Sequence, residues 1–214
     1  MKSSFILVAC IATALLGTTG AAMAQAGWYA GLTLGSSDAA DISPEVVAVT
    51  GATSTNFVTD QREPGVKVFA GYRFNRYFAV EGGFAWLGEF QTTTQVSAPG
   101  TGALNADIRV IGLFVDAVGM LPIGDRFALL AKVGVLGSET RTFRSISGTA
   151  TPAPGINTNA TSDQANLSYG LGAQYDFARN ATLRFEWQHY VSVGDANTGE
   201  FDIDLYSVGL LFRF

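Results

Sequence analysis

"LYSVGLLFRF", Leu205 to Phe214, closes the chain, and its residues alternate: Tyr206, Val208, Leu210, Phe212 and Phe214 fall on one face of an extended strand, Ser207, Gly209 and Arg213 on the other. Period-two alternation marks a strand whose two faces meet different surroundings. Chain ends are normally polar and frayed unless something ties them down. An apolar strand at the very end therefore calls for a partner strand, and a closed barrel supplies one by pairing the last strand with the first.

The same alternation recurs in eight segments: Gly27 to Ser36, Gly65 to Phe74, Tyr77 to Phe90, Ala106 to Leu121, Phe127 to Phe143, Asn166 to Phe177, Ala181 to Val193 and Asp202 to Phe214. No segment carries a helical period. The connectors sort into two classes that alternate. Short ones occur at Asn75–Arg76, Pro122–Asp125 and Ala178–Asn180; long ones, rich in Thr, Ser, Ala, Pro and Gly, run over Ser37–Pro64, Gln91–Asn105, Arg144–Ala165 and Gly194–Phe201. Tight turns at one end and long loops at the other are the pattern of an up-and-down barrel in an outer membrane. A soluble sandwich gives no reason for that sorting.

At the other end of the chain, "MKSSFILVACIATALLGTTGAAMAQA" has one charge, Lys2, an apolar run from Phe5 to Leu16, and small-x-small sites at Ala22–Ala24 and Ala24–Ala26. That is the build of a secretory signal, and the run is shorter than the about 20 residues a spanning helix needs. The expected division is residues 1–24 as signal, with cleavage after 26 the other option, and 25–214 as one barrel domain. "LVAC" at Leu7–Cys10 resembles a lipoprotein box, but the apolar run continues past Cys10, against that reading. Removing the signal takes Lys2 from the 13 basic residues and leaves 12 against 18 acidic, with no cysteine. Disulfides, thiolate metal sites and a cysteine nucleophile are thereby excluded, and the acidic balance argues against nucleic acid.

The faces of the strands choose between membrane and water. Leu183, Phe185 and Trp187 oppose Arg184, Glu186 and Gln188; Val66, Val68, Ala70, Tyr72 and Phe74 oppose Lys67, Phe69, Gly71 and Arg73; Phe78, Val80, Phe84 and Trp86 oppose Ala79, Glu81, Gly83 and Ala85. A soluble barrel of lipocalin type, greasy inside and charged outside, has the same alternation. Three features favour the membrane. Aromatics stand at strand ends on the greasy face (Trp28, Phe74, Phe78, Trp86, Phe127, Tyr175, Phe214) like an interfacial girdle. The charged face is rich in glycine, as a crowded narrow interior requires. The chain also has far fewer Lys and Glu than a solvated exterior carries. The expectation is an all-β, eight-stranded antiparallel up-and-down transmembrane β-barrel.

"LRFEWQHYVSVGDANTGEFDIDLYSVGLLFRF", with "GLGAQYDFARNATLRFEWQ" and "FAVEGGFAWLG", resembles the transmembrane domain of the outer-membrane protein A family and its opacity-type relatives. The resemblance covers essentially the whole mature segment. It implies a Gram-negative outer-membrane protein in contact with membrane lipid and lipopolysaccharide. It also implies that Tyr206, Val208, Leu210, Phe212 and Phe214 form the signal read by the barrel assembly machinery. With the sequence stopping at Phe214, the peptidoglycan-binding module of two-domain members is expected to be absent.

Parity places Lys67, Arg73, Glu81, Asp116, Lys132, Arg184 and Glu186 in the lumen. Eight strands leave an interior just wide enough for side chains, so these charges need partners. They form either a static polar core or a gate in which pairs such as Glu81 and Arg184 exchange partners. The resemblance supports a gate through Glu81, Lys132 and Arg184 and departs from it at Gln174, where an acid is expected, and at Val118, where a base is.

His189 is the only histidine. It falls on the lipid-facing side with Ser192 three positions on, out of line for a lipid A deacylase, which needs its pair aligned with a carboxylate. No catalytic residue is expected. Asp195, Asn197, Glu200, Asp202 and Asp204 offer oxygens for Ca²⁺ but lack the EF-hand pattern, so an outer loop without metal is expected. "GLG" at Gly170–Gly172 lies within a strand and is no nucleotide site. No cofactor is implied. Functions open at this stage are envelope integrity with at most a narrow pore, a slow porin, or an adhesin or serum-resistance protein acting through loops such as "EVVAVTGATSTNFV" (Glu45–Val58) on a host or surface ligand. A monomer is expected.

Overall fold

The computed structural model describes residues 26–40, 54–60, 62–98, 102–148, 159–195 and 198–214. The signal segment up to Gln25, Glu45 to Thr53 of the first long connector and Asn197 lie outside them. Nine strands occur in order: β1 (Gly27–Ala40), β2 (Ser54–Asp60), β3 (Arg62–Arg73), β4 (Phe78–Ala98), β5 (Gly102–Ile123), β6 (Phe127–Gly148), β7 (Asn159–Asp176), β8 (Ala181–Asp195) and β9 (Gly199–Arg213). Both β2 and β3 pair antiparallel with β4, and only Gln61 separates them. They are two pieces of one stave, so the barrel has eight.

Closure is complete. β1 pairs with β3 on one side and with β9 on the other, from Tyr29↔Arg213 to Ala40↔Asp202, while β4 pairs with β5. At the rim the Phe214 amide donates to the Trp28 carbonyl (3.1 Å). The barrel ladders thus satisfy their backbone groups within the sheet, which is the condition for placing strands in hydrocarbon. This also holds the apolar last strand.

The exterior follows the predicted parity. Leu32, Leu34, Val68, Phe84, Leu113, Val115, Val133, Val135, Leu171, Phe185, Val208 and Leu210 are exposed, Leu113 at 68%. For a soluble protein such a surface would drive aggregation; around a barrel it is the lipid-facing band. Below the band, Trp28, Tyr72, Phe74 and Phe78 form a run of ring contacts 5.0 to 5.7 Å apart. Their mutual packing leaves Phe74 and Phe78 half-buried, as is Trp86, whereas Trp28 (62%) and Phe214 (86%) stand out.

Three sequence expectations need correction. First, the long connectors are shorter than expected because the strands continue through them. β5 and β6 have 22 residues each, about twice the 9–11 that cross a bilayer, and β2 lies inside the stretch read as the loop Ser37–Pro64. Where the strands leave the apolar band, their outer face turns charged: Arg109 pairs with Glu89 (2.7 Å), Arg62 with Asp38 (3.1 Å) and Arg141 with Glu139. Thr- and Ser-rich sequence reads as loop but is well suited to a solvated strand.

Second, β4 has a bulge between Trp86 and Gly88, where the left-handed φ of +110° suits glycine. A bulge inserts one residue and reverses the faces beyond it. Phe90, outward by simple parity, is therefore fully buried in the lumen.

Third, the small and charged face also carries large rings. Tyr29, Phe69 and Phe114 are buried inside, and glycines opposite make room for them. A Cβ at Gly71 would sit 2.6 Å from the Tyr29 hydroxyl, and one at Gly31 would strike the Phe69 ring.

The charged lumen as candidate functional site

Lumen positions come from alternate residues of all eight staves, so one cross-section collects residues far apart in sequence. Glu81 on β4 receives three donors: Tyr29 Oη (2.7 Å), Arg184 Nη1 (2.6 Å) and Lys132 Nζ (2.6 Å). Glu186 on β8 meets Lys67 and Lys132, both at 2.6 Å, and Arg184 at 3.8 Å. Lys132 thus bridges the two carboxylates. Lys67 also donates to Gln188, whose amide reaches Asp116 (3.1 Å) and Ser168 (3.2 Å). Lys67, Lys132 and Arg184 balance Glu81, Glu186 and Asp116 in formal charge. All six are buried, and burial on that scale is tolerable only for paired, hydrogen-bonded ions.

The buried rings are part of the same layer. Lys67 lies 4.8 Å from the Phe114 centroid, and Lys132 and Arg184 lie 5.6 and 5.7 Å from that of Phe69. These aromatic faces attract cations and fill space that water would otherwise occupy.

Of the seven lumen charges read from the sequence, the structure brings Lys67, Glu81, Lys132, Arg184 and Glu186 into one ion-pair network. Asp116 is inside, but the neutral donors Ser168 and Gln188 hold it; among the described residues no cation lies within salt-bridge distance of it. Arg73 is inside only in part: it is half-buried at the end near the tight turns, and its guanidinium donates to the Met120 sulfur at 3.5 Å. Tyr29, Ser168 and Gln188 were missed. Parity marked the face of Gln188; what was lacking was a reason to count neutral groups among the partners. Gln174 accepts from Arg184 (3.3 Å) in place of the expected acid, and Val118 is buried in the lumen.

Above the charges, toward the long-loop end, the lumen turns mainly apolar. Leu87, Phe90, Ile108, Val110, Leu136, Tyr190, Val193 and Ile203 are at 0% exposure, and Phe90 packs edge-on against Phe201 with centroids 5.9 Å apart. This apolar roof has no counterpart in the sequence reading.

Outside the barrel, His189 directs Nδ1 to Asp204 (2.9 Å), which also accepts from Trp187 (2.8 Å), and Nε2 toward Asp202 (3.7 Å). A bulge between Tyr190 and Val193 carries Ser192 at φ +52°, so the simple i, i+3 parity argument does not apply across it. Even so, Ser192 meets Asp202 through its backbone amide (2.8 Å), and both His189 nitrogens face carboxylates. Asp195 accepts from Thr198. Among the described residues no group of three or more His, Cys, Asp or Glu is placed to hold a metal.

A closed eight-stave barrel with a lipid-facing apolar band, an aromatic rim and an ion-paired interior defines an integral outer-membrane β-barrel. The comparisons agree: the model of the outer membrane protein beta-barrel domain matches residues 7–214, and the chain belongs to that family. It is 27% identical to outer membrane protein A of Salmonella typhi over 100% of its length and 28% identical to that of Yersinia pseudotuberculosis over 95%. It spans 56% and 54% of those proteins, about half the length of the curated relatives it matches. Among solved structures, OprG of Pseudomonas aeruginosa superposes with a TM-score of 0.53 at 18% identity, over 88% of this chain and 96% of that one. Neisserial surface protein A does so with 0.52 at 13%, over 88% and 97%. At these identities the two structures speak for the fold. The protein is located in the outer membrane.

Proposed function

We propose that this barrel is a closed, non-enzymatic envelope protein that anchors extended strands and loops at the cell surface, its lumen serving as a polar core. The apolar roof carries the reading: an ion leaving the charged layer toward the outside meets a packed layer of Leu87, Phe90, Ile108, Val110, Leu136, Val193 and Ile203, with only neutral hydroxyl and amide groups among them, and apolar constrictions block conduction by dewetting. Partners that fit are outer-membrane lipid and lipopolysaccharide around the band, the barrel assembly machinery at Tyr206, Val208, Leu210, Phe212 and Phe214, and a host or surface ligand at the loops. The signal segment at residues 1–24 fits export by cleavage.

A second reading, a narrow gated pore, is favoured by Arg184 standing 2.6 Å from Glu81 and 3.8 Å from Glu186, close enough to exchange acceptors. It requires the roof to part as well. Liposomes containing the refolded protein, placed in isotonic glycine or a pentose, distinguish the two. Swelling no faster than in protein-free liposomes agrees with a closed lumen; rapid swelling overturns it.

A further inference from the structure

Below the ion-pair layer the lumen widens, at the end carrying the tight turns, into a cavity of about 430 Å³ lined by Tyr29, Arg73, Arg126, Gln174, Asp176 and Arg213 among others. Its volume is that of a site for a small molecule. Its charges are unequal. Arg73, Arg76, Arg126 and Arg213 line the cavity against two side-chain carboxylates, Asp125 and Asp176, with Phe214 and its α-carboxylate also on the lining. Asp176 is already taken, since Arg213 pairs with it and Thr182 donates to it at 2.7 Å.

Arg73 is the anomaly. Among the described residues its one hydrogen-bond acceptor is the Met120 thioether, a weak acceptor for a guanidinium that has five N–H donors. Gln174, also hydrogen-bonded to that sulfur at 3.9 Å, is neutral and brings Arg73 no counter-charge. A half-buried arginine in salt-bridge contact with no carboxylate among the described residues, lining a cavity with further arginines, has guanidinium donors to spare. Guanidinium groups take carboxylate and phosphate oxygens in pairs.

We propose that this vestibule binds a small soluble anion bearing a phosphate or carboxylate group, with Arg73 as its principal contact and Arg126 and Arg213 at its margin. Lipid phosphate is the other source of the same chemistry, but lipids contact the outer face of the barrel whereas Arg73 points to the lumen. Binding is an equilibrium property that involves no ion flow, so it stands or falls separately from the closed-lumen reading.

The test is a titration of inorganic phosphate, at constant ionic strength with chloride as the exchanged ion, into the refolded full barrel in a maltoside detergent, which carries no phosphate. Arginine Nε–Hε resonances report occupancy. Saturable shifts in the millimolar range are expected. Affinity should fall at least about tenfold in Arg73→Gln, fall several-fold in Arg126→Gln on the exposed turn, and stay unchanged in Arg109→Gln on the outer face, where the side chain belongs to another ion pair. The Arg126 variant keeps the test decisive if Arg73→Gln does not refold. Linear, unsaturated shifts in the wild type, or undiminished affinity in both vestibule variants, overturn the proposal. So does saturation by a short-chain phosphatidylglycerol with none by phosphate.

Discussion

Lys67 of β3 and Glu186 of β8 lie 119 positions apart in sequence and 2.6 Å apart across the lumen. Neither is accessible to solvent, and neither is on a strand adjacent to the other's. The contact exists only because the sheet closes, so the interior charges report on closure as directly as the backbone ladders do.

Because the layer is neutral in formal charge and buried, removing one member leaves an uncompensated charge. Glu186→Gln strips Lys67 and Lys132 of their shared carboxylate and is expected to cost about 3–5 kcal/mol, the usual loss when one partner of a buried pair is removed. The double variant Glu186→Gln with Lys132→Met restores neutrality and should recover a good part of that loss. Urea unfolding in lipid vesicles, followed by tryptophan fluorescence, measures both. Equal and additive losses would mean that the two residues act independently.

The exposed pair Arg109 and Glu89 has the same chemistry at a similar distance, 2.7 Å, but is half in solvent. Screening and side-chain entropy leave such pairs with at most about 1 kcal/mol. Arg109→Ala should therefore shift the same unfolding curve several-fold less than Glu186→Gln. A comparable shift would show that the outer face of the extended strands is shielded, as by a tightly bound surface lipid.

Gly71 faces the Tyr29 ring, whose hydroxyl donates to Glu81. Gly71→Leu must displace that ring, so it should destabilise the barrel by about 1–3 kcal/mol, the scale of overpacking. Gly82→Leu on the same strand pair, facing outward, should be tolerated. A detergent gel run before and after boiling reads both: loss of the compact unboiled band is expected for the first variant and retention for the second.

Phe214 is exposed at the rim, and its side chain contributes little to the interior. Phe214→Ala is expected to refold in detergent like the wild type yet reach the outer membrane of cells in reduced amount, because the terminal aromatic is proposed to serve assembly. Equal surface levels would remove that role.

Much of this was legible in the sequence, for a physical reason: a stave has lipid on one side and a crowded lumen on the other, and alternation records the difference residue by residue. Leu183 to Gln188 is readable by eye, and the interior position of Lys67, Glu81, Lys132, Arg184 and Glu186 followed from parity alone. Parity failed where the backbone inserts a residue. The bulge at Trp86 to Gly88 turned Phe90 inward, and with Leu87 it builds part of the apolar roof. Nor could parity say which of several interior groups would meet, since that depends on stagger around the barrel. Asp116 was therefore found among neutral donors and Arg73 beside a thioether. The extended strands were hidden because residues such as Thr92 and Ser162, buried in the outer lumen, have the composition of a loop.

The closed lumen is tested most directly by planar-bilayer conductance of the refolded protein beside two variants, Arg184→Ala in the ion-pair layer and the double Phe90→Ala, Phe201→Ala in the roof. Silence in the wild type and in Arg184→Ala, with discrete steps once the two roof rings are removed, is the predicted result. Discrete steps in the wild type that change in Arg184→Ala would contradict it and make the buried charges a working gate.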